Sequence, residues 1–408
     1  MRVLLVTTGS LGDFLPFVGI AKALRARGHN VMLFGGGAFA HFAQEASIHF
    51  VPLTSAEADE SFFRRSSDGG AAVWNWLRRA VELIEPTYEI LAQHCVPGET
   101  TIVGLDWMLG ARIARDALKC RLITVHMQPA SFRSKYLHKW WLPPWLASLI
   151  QHALDILGDW VLAKPVNGLR SRLGLGPVAR IFRWWNSPDL VIGFFPEWFA
   201  AREPDWPEPS LVPGFALYEP HQQSQQNELP EAIRTFLDAG DAPILFGQGS
   251  WVSDAQSYFR ESIIAAKRLG RRAILLTTRR DQLPAILPEG IAHFSFAPHK
   301  PLLKRCAAFV HHAGTGSLAS GLAAGIPQLT VPRIGDQHDN AERLEKLGVS
   351  STIRPNRYRA DRVARKLGSL LNSQVVRERC SFYRERMLDS TFELVADAIE
   401  PLVENHVG

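Results

Sequence analysis

The sequence is poor in cysteine, with four in 408 residues, and it contains no CxxC pair. Because Cys95, Cys120, Cys306 and Cys380 lie far apart, neither a disulfide framework nor a cysteine zinc site is expected, and a reducing compartment fits. The chain also lacks an apolar run of about twenty residues, so no segment is expected to span a membrane. The opening MRVLLVTTGSLGD indicates a buried first strand, not a signal peptide.

Tryptophan is nearly absent from the second half of the chain. Eight of the twelve tryptophans fall between Trp140 and Trp206, and only Trp251 follows them. Residues Trp140–Ala163 fit an amphipathic helix that lies on a membrane or covers a pocket, because prolines and acidic residues interrupt the apolar run. These features together predict a cytoplasmic protein, or one peripheral on the inner face of a membrane.

Basic residues are in slight excess, with a formal net charge of +5 and a pI near 9.1. Ten of them lie between Arg354 and Arg386, where only three acidic residues occur. No RNA-binding or helix-turn-helix signature accompanies this charge, so nucleic acid is not expected as a partner. A solvated helical face is the simpler interpretation, and an anionic small molecule or lipid is the alternative.

Short apolar runs alternate with helical patterns along the chain, which is typical of a doubly wound α/β fold with parallel sheets. The alternation restarts after residue 228, so two such domains are expected. The predicted strands are Val3–Thr7, Val31–Phe34, Thr101–Leu105, Leu122–His126 and Leu190–Gly193, then Pro243–Gly247, Ala273–Thr277, Ala307–His311 and Gln328–Val331. The predicted helices are Phe17–Arg27, Leu109–Ala117, Ala255–Leu269 and Leu318–Ala324.

The Gln-rich stretch EPHQQSQQN has no apolar period and is the best candidate for a linker, at residues 219–228. It separates an N-terminal domain, 1–218, from a C-terminal domain, 229–385. Residues 386–408 are expected to form a helix that packs back on the N-terminal domain. Ligands of such sheets bind beyond the carboxyl ends of the strands, so the site is expected in the cleft between the domains.

The strongest motif is VHHAGTGSLASGLAAGIPQLTVPRIGDQHDNAERL, from Val310 to Leu344. A strand ends near His312, two glycines allow a close backbone turn, and a helix begins near Gly316. The free N–H groups at a helix N-terminus bind anions, so this turn suits a diphosphate. A neighbouring histidine adds a charge-assisted hydrogen bond.

This segment resembles the donor-binding signature of family 1 glycosyltransferases, which have the GT-B fold of two Rossmann-like domains. The opening TGSLGDFLPFVGIAKALRARGHNV, the segment FAPHKPLL and the GQGS turn are similar to the same family. Within the family, LIEPTYE, RIFRWWNSP and DWPEP resemble the rhamnosyltransferases of rhamnolipid synthesis, and the sterol and antibiotic enzymes are also similar.

The resemblance implies roles for individual residues of the donor site. Phe296 would stack on the nucleobase, with Ala297 and Pro298 holding its edge through the backbone. Asp336 and Gln337 would bind hydroxyls of the donor sugar. The residues implied for the diphosphate and the surrounding donor site are Gly12, Ser250, His312, Gly314, Thr315, Gly316 and Ser317.

Ser320 departs from the family pattern, because many relatives that use UDP-sugars have a ribose-binding glutamate there. A single hydroxyl replaces that carboxylate poorly, so a donor without the 2′-hydroxyl, such as dTDP-L-rhamnose, loses less. A UDP-hexose stays the alternative. The chain contains no DxD sequence, which agrees with a site that has no metal and no other cofactor. Direct displacement would invert the anomeric centre.

The catalytic base is expected in the N-terminal domain, after one of its strands. Asp13 follows the first strand, and its alternative interpretation is an N-cap of a helix that starts near Pro16. Asp106 and His126 also follow strands, and either is a candidate for the base or for its orienting partner.

The acceptor is expected in the tryptophan-rich half, as a hydrophobic small molecule or a hydroxyacyl lipid. Two other classes stay open: a nicotinamide oxidoreductase, which the absence of GxGxxG disfavours, and a non-catalytic lipid-binding subunit. The oligomeric state is left open. The candidate acceptor-binding residues are Trp74, Trp76, Phe132, Trp140, Trp141 and Trp145, with Trp140 and Trp141 also candidates for membrane contact.

Overall fold

A computed structural model describes residues 2–66, 71–134, 144–220, 229–249 and 255–404. The chain forms two compact units. The first contains the chain up to Tyr218 together with the C-terminal segment from Ser390, and the second runs from Glu219 to Asp389. Most of the predicted linker lies outside the described residues.

The first unit is built on a seven-stranded parallel sheet of order β3-β2-β1-β4-β5-β6-β7. Val3, Leu4, Leu5 and Val6 are fully buried, as expected for a strand covered by helices on both faces. The strands are β1 (Arg2–Val6), β2 (Asn30–Gly36), β3 (His49–Thr54), β4 (Thr100–Leu105), β5 (Arg121–His126), β6 (Leu190–Gly193) and β7 (Ser210–Leu211).

Helices connect these strands, since parallel neighbours need a crossover. The first begins six residues earlier than predicted, because Ser10 caps it and Pro16 is accommodated in its early turns. The helices are α1 (Leu11–Ala26), α2 (Ala40–Glu45), α3 (Ala56–Ser66), α4 (Ala71–Glu82), α5 (Ile84–His94), α6 (Leu109–Leu118), α7 (Pro144–Arg172) and α8 (Ile181–Trp184).

The second unit repeats this plan with a six-stranded parallel sheet of order β10-β9-β8-β11-β12-β13. Its strands are β8 (Ile244–Gly247), β9 (Ala273–Leu276), β10 (Ile291–Phe294), β11 (Ala308–His311), β12 (Gln328–Thr330) and β13 (Ser350–Thr352). Its helices are α9 (Glu231–Asp238), α10 (Gln256–Arg268), α11 (His299–Leu303), α12 (Thr315–Ala324), α13 (Gln337–Leu347), α14 (Ala360–Asn372) and α15 (Gln374–Glu385).

The last helix, α16 (Thr391–Glu404), belongs to the first unit and packs on α1. The Arg27 guanidinium contacts the carboxylates of Glu393 and Asp397 at 2.8 and 2.7 Å. The ring of Phe392 lies directly over Gly19 of α1. A residue without a side chain at position 19 is therefore what allows the two helices to approach.

The order of the strands decides which residues come together at each sheet edge. In the first unit β1 lies beside β4, and β4 lies beside β5, so Asp13, Asp106 and His126 follow neighbouring strands. In the second unit β11 lies between β8 and β12. The glycine-bearing segment after β8 and the segments after β11 and β12 therefore share one edge.

The expectation that the cysteines stay unpaired is wrong for two of them, since Cys95 and Cys120 form a disulfide. Cys95 follows α5 and Cys120 precedes β5. Helices α5 and α6 pack together and bring the two loops side by side, which the 25-residue spacing in sequence did not reveal. Cys306 and Cys380 are free and buried.

Among the described residues, no helix combines the length and apolarity needed to cross a membrane.

We predict that Gly19→Ala lowers the free energy of unfolding by about 1–3 kcal/mol, because overpacking has that typical cost. The added Cβ would lie 2.3 Å from the Phe392 ring. Gly168→Ala in α7 is the matched control, since no atom lies within 4 Å of its Cβ position. Urea denaturation of both variants measures the difference, and equal effects would contradict the packing of α16 on α1.

Candidate functional site

The segment between β11 and α12, residues His311–Thr315, forms a tight turn that we call the glycine turn. The buried ring of His311 accepts a hydrogen bond from the Ala313 N–H at 3.0 Å, and its other nitrogen lies 2.8 Å from Gln328 Oε1. Ala313 has a left-handed backbone, with φ +66°, and Gly314 is the N-cap residue of α12. The buried His311 ring therefore fixes the shape of the turn through these two hydrogen bonds.

Two glycines make room for the ring of His312. A Cβ at Gly314 would lie 2.4 Å from His312 Nε2, and one at Gly249 would lie 3.2 Å from the same atom. Gly249 follows β8, so the imidazole sits between the ends of two neighbouring strands. The structure confirms the sequence-based expectation of a close glycine turn here, although α12 begins at Thr315 and not near Gly316.

Burial lowers the pKa of His312 to about 4, with the charges of Arg333 and His299 adding to the effect. The ring is therefore neutral near pH 7. Its buried Nδ1 atom has no hydrogen-bond partner in the part of the chain that the structure describes. An unpaired buried nitrogen costs free energy until a ligand satisfies it. The charge-assisted bond expected from the sequence thus requires an anion that raises this pKa on binding.

The loop after β12 and the start of α13 hold the candidate sugar-binding pair. Asp336 is the N-cap residue of α13, and the side-chain oxygen of Gln337 accepts from the Arg333 N–H at 2.9 Å. The Asn340 amide donates to Asp336 Oδ2 and to the Ala313 carbonyl, both at 3.1 Å. Asn340 thereby ties this loop to the glycine turn.

Sequence reasoning missed Asn340 and Arg333. Asn340 lies four residues after Asp336, which places the two on one face of a helix, so the spacing DQHDN carried a usable signal. Arg333 sits in the same loop, and its charge acts on His312. It adds a cation to a region where the sequence had indicated only histidine and helix N–H groups.

The remaining candidate donor residues of the second unit lie around the same helix and the loop before α11. Phe296 is half exposed at 51%, Ala297 is buried, and Pro298 is the N-cap residue of α11. The Ser320 hydroxyl donates to the Gly316 carbonyl of its own helix at 2.7 Å. Ser317 lies half-buried in the first turn of α12. Ser250 is outside the described residues.

In the first unit, Asp13 is the third residue of α1 and not its N-cap. Its Oδ2 accepts two hydrogen bonds of 2.8 Å from the backbone N–H and the hydroxyl of Ser10, the true N-cap residue. Gly9, with φ +113°, leaves space for this carboxylate, since a Cβ there would lie 2.5 Å from Oδ2. Gly12, the donor candidate of this unit, is exposed in the same turn.

Burial, with a smaller contribution from the nearby Asp106 charge, raises the pKa of Asp13 to about 6 against the opposing effect of the Ser10 hydrogen bonds. A carboxylate with this pKa is largely deprotonated at pH 7 and still basic enough to take a proton. Asp13 therefore combines a position after β1 with a raised pKa, and its role as the base stays a prediction.

Asp106 and His126 form a buried pair. His126 Nδ1 lies 2.9 Å from Asp106 Oδ2, and its Nε2 lies 2.7 Å from Asn186 Oδ1. The His126 side chain is fully buried, with Phe132 edge-on against its ring. Both ring nitrogens are occupied, so this histidine is suited to positioning and not to contact with a substrate. Asn186 was missed, although it lies in the RIFRWWNSP stretch.

The candidate acceptor aromatics that the structure describes differ in their exposure. Phe132 is a core residue that packs against Phe195 and Trp206. Trp76 is half-buried against Phe62, whereas Trp74 is exposed. Trp145, on α7, is also exposed. Trp140 and Trp141 lie outside the described residues.

We predict that Asp13 titrates near pH 6 and that Ser10→Ala moves its pKa higher, because the Ser10 hydrogen bonds stabilise the charged form. Carboxyl-detected NMR titration measures both values. Ser61→Ala, which removes an exposed hydroxyl in α3, is the matched control and should leave the Asp13 pKa unchanged.

The same shift makes stability depend on pH. Because the folded chain holds the Asp13 proton more tightly than the unfolded chain, this group lowers the free energy of unfolding as pH rises from about 4 to about 6. The loss is at most about 3 kcal/mol. Asp13→Asn keeps an acceptor for Ser10 and should remove this part of the pH dependence. Identical pH profiles of unfolding would contradict the raised pKa.

Family models match both units. Residues 3–115 match the glycosyltransferase family 28 N-terminal domain, and residues 268–400 match the erythromycin biosynthesis protein CIII-like C-terminal domain. The two matched segments contain Asp13 and Asp106 on one side and the glycine turn with Asp336 on the other.

Whole-chain comparisons agree with the family models. The chain is 28% identical over 375 residues to the O-mycaminosyltylonolide 6-deoxyallosyltransferase of Streptomyces fradiae, covering 86% of this chain and 85% of that protein. It is 25% identical over 369 residues to a sterol 3-beta-glucosyltransferase of Neosartorya fischeri, of which it spans only 26%. The solved structure of glycosyltransferase VinC in complex with dTDP superposes with a TM-score of 0.69 at 16% identity, over 99% of this chain and 100% of that one. The chain therefore belongs to the family 1 glycosyltransferases of the GT-B fold.

Proposed function

We propose that this glycosyltransferase transfers a sugar from a nucleoside diphosphate to a hydroxyl of a hydrophobic acceptor, with inversion at the anomeric carbon. L-rhamnose from dTDP-L-rhamnose and a hydroxyacyl lipid are the donor and acceptor we favour. The observation that carries the proposal is the glycine turn, where the ring of His312 lies beside the N-cap residue of α12 and its Nδ1 has no partner among the described residues.

The donor diphosphate binds at the N-terminus of α12 in this proposal. The first N–H groups of a helix have no partner within the helix, and its dipole favours an anion there. His312 donates a hydrogen bond as its pKa rises next to the phosphate, and the hydroxyls of Thr315 and Ser317 add two more donors. Arg333 balances part of the remaining charge. The proposal needs no resident metal or other cofactor.

In this proposal, the donor sugar and the nucleobase bind to neighbouring parts of the same unit. Asp336 and Gln337 bind sugar hydroxyls, and Phe296 offers an exposed ring on which a nucleobase stacks. Asn340 fixes Asp336 relative to the glycine turn, so that the sugar hydroxyls and the diphosphate are held in one register.

Asp13 is the general base in this proposal. Its carboxylate takes the proton of the acceptor hydroxyl while the hydroxyl oxygen attacks the anomeric carbon, and the bond between that carbon and the diphosphate oxygen breaks. The leaving nucleoside diphosphate keeps the electron pair, and attack from the opposite side inverts the centre. Asp106, held by His126, keeps a negative charge near Asp13 and so helps to keep its pKa raised.

In this proposal, an apolar part of the acceptor binds to aromatic side chains of α3 and α4. The indole of Trp74 is exposed. The Trp76 ring packs edge-on against Phe62, with 4.9 Å between the ring centroids. Aromatic faces of this kind bind hydrocarbon and fused rings equally well. A hydroxyacyl chain fits this surface, and a sterol, carotenoid or polyketide fits it as the second candidate, with UDP-glucose as the donor.

The choice between dTDP and UDP depends on Ser320. Its hydroxyl donates its proton to the Gly316 carbonyl, so toward a ribose 2′-hydroxyl it can only accept, and one oxygen replaces a carboxylate poorly. A donor that lacks this hydroxyl leaves nothing unsatisfied there. The complex of VinC with dTDP gives a precedent for that nucleotide on this fold.

We predict that dTDP raises the melting temperature of the chain more than UDP does at equal concentration, because bound ligand stabilises the folded state in proportion to its affinity. Ser320→Glu should shift the preference toward UDP, since a carboxylate bridges the two ribose hydroxyls. Ser369→Glu, on an exposed face of α14, is the matched control. Stabilisation by neither nucleotide would overturn the donor site, and a stronger effect of UDP on the unchanged chain would favour the second candidate.

We predict that Asp13→Asn lowers the turnover number by about a thousandfold, the usual contribution of a general base. Its dTDP affinity should stay unchanged, because Asp13 lies in the other unit. His312→Ala should instead weaken dTDP binding by about tenfold, through the loss of one buried hydrogen bond. Product formation by mass spectrometry and calorimetric titration separate the two effects.

Retained turnover in Asp13→Asn would assign the base to another group. The unchanged chain could instead bind dTDP and yet show no turnover with any donor and acceptor pair. That result would favour the non-catalytic lipid-binding subunit.

A further inference from the structure

The first five turns of α7 expose a wide apolar surface. Trp145 is 68% exposed and Trp160 is 76% exposed. Buried apolar groups are the rule in a folded chain, and contiguous exposed ones mark an interaction site. The large exposed apolar residues of this helix are Trp145, Leu149, Ile150, Leu154, Ile156, Leu157 and Trp160.

Helical geometry places these residues on one side of α7. At about 100° per residue, Trp145 to Leu154 span an arc of about 180°. The opposite arc holds Leu162, Val166 and Leu169, which belong to the buried core of the first unit. Both sides of the helix are therefore apolar, and only one of them is covered by the part of the chain that the structure describes.

Both acidic residues of the exposed turns face the protein and have hydrogen-bond partners there. Asp155 accepts a hydrogen bond from Arg133 Nε at 2.8 Å. Asp159 accepts hydrogen bonds from the backbone N–H groups of Arg180 and Ile181 at 2.8 and 2.7 Å. No other charged residue occurs from Pro144 to Ala163, so the outward arc carries no negative charge.

The first charge on the outward arc is positive. Lys164 is exposed, and it follows Trp160 by one turn on the same side of the helix. A long side chain of this type keeps its stem along an apolar surface while its ammonium group reaches polar headgroups.

We propose that the outward side of α7, from Trp145 to Lys164, binds the surface of a lipid bilayer that contains anionic headgroups. An interfacial helix buries about half of its circumference, and the uncovered arc has that width. The two indoles lie about 22 Å apart along the helix, and tryptophan prefers the boundary between headgroups and acyl chains. Lys164 supplies the charge that complements an anionic lipid.

The shape of this surface disfavours the other occupants. A small-molecule site is concave, whereas the outward side of a single helix is convex. A second copy of the chain packed through the same arc offers Lys164 no negative charge, because the arc carries none, whereas anionic headgroups do. This inference is independent of the proposed donor and acceptor, because it concerns binding and not turnover.

Flotation of the full chain with vesicles tests the inference. Vesicles of phosphatidylcholine mixed with phosphatidylglycerol should carry the protein to the top of the gradient, and vesicles of phosphatidylcholine alone should carry less. The double variant Trp145→Gln/Trp160→Gln should bind at least about tenfold more weakly, because two large apolar side chains are lost from the contact. Lys164→Gln should reduce only the binding that anionic lipid adds.

The matched control is Ile286→Gln/Val375→Gln, which removes two exposed apolar side chains of the second unit. It should float as the unchanged chain does. Circular dichroism melting confirms that all variants are folded, which is expected because every substituted side chain is exposed.

Three outcomes would overturn the inference. The unchanged chain fails to float with either vesicle, the control loses binding as much as the α7 variant does, or the chain is a dimer that Trp145→Gln/Trp160→Gln converts to a monomer while vesicle binding is unaffected.

Discussion

Both halves of the chemistry depend on one constraint: a buried parallel strand ends, and the chain must turn at once into a helix whose first N–H groups have no partner. At α12 no side chain in the described part of the chain caps these N–H groups, and the His312 ring packs between Gly249 and Gly314 at the same turn. At α1 the same need is met internally, because Asp13 and Ser10 cap one another. In the proposed mechanism, one backbone arrangement therefore serves as an anion site in one unit and holds the general base in the other.

Loss of solvation favours the uncharged form of both His312 and Asp13. It lowers the pKa of His312 to about 4 and raises that of Asp13 to about 6. A neutral imidazole avoids the cost of a buried charge while the site holds no anion, and a nearby phosphate would restore its charge. A carboxylate of raised pKa is a stronger base. In the proposed mechanism, the same loss of solvation therefore suits His312 to donate a hydrogen bond to a phosphate and Asp13 to accept a proton.

The sequence predicted the α/β class, most strands and the glycine turn, because continuous apolar runs and paired glycines are local signals. It also indicated Asp13 through its position after β1. It did not indicate that Ser10 is the N-cap residue, because a proline inside a helix removes a backbone hydrogen bond and Pro16 therefore argued for a later helix start, yet α1 contains Pro16 as its sixth residue. It missed the disulfide, because the packing of α5 on α6 is a contact between elements.

Sequence by itself determined which residue types stand at the ends of strands, and therefore the family of reactions they suit. Only the tertiary structure decided what each one does. His126 ends a strand and His312 follows one, yet the first has both ring nitrogens occupied by Asp106 and Asn186, and Nδ1 of the second has no partner among the described residues. That difference arises from partners 20 and 60 residues away, which strand order brings together and which no local pattern contains.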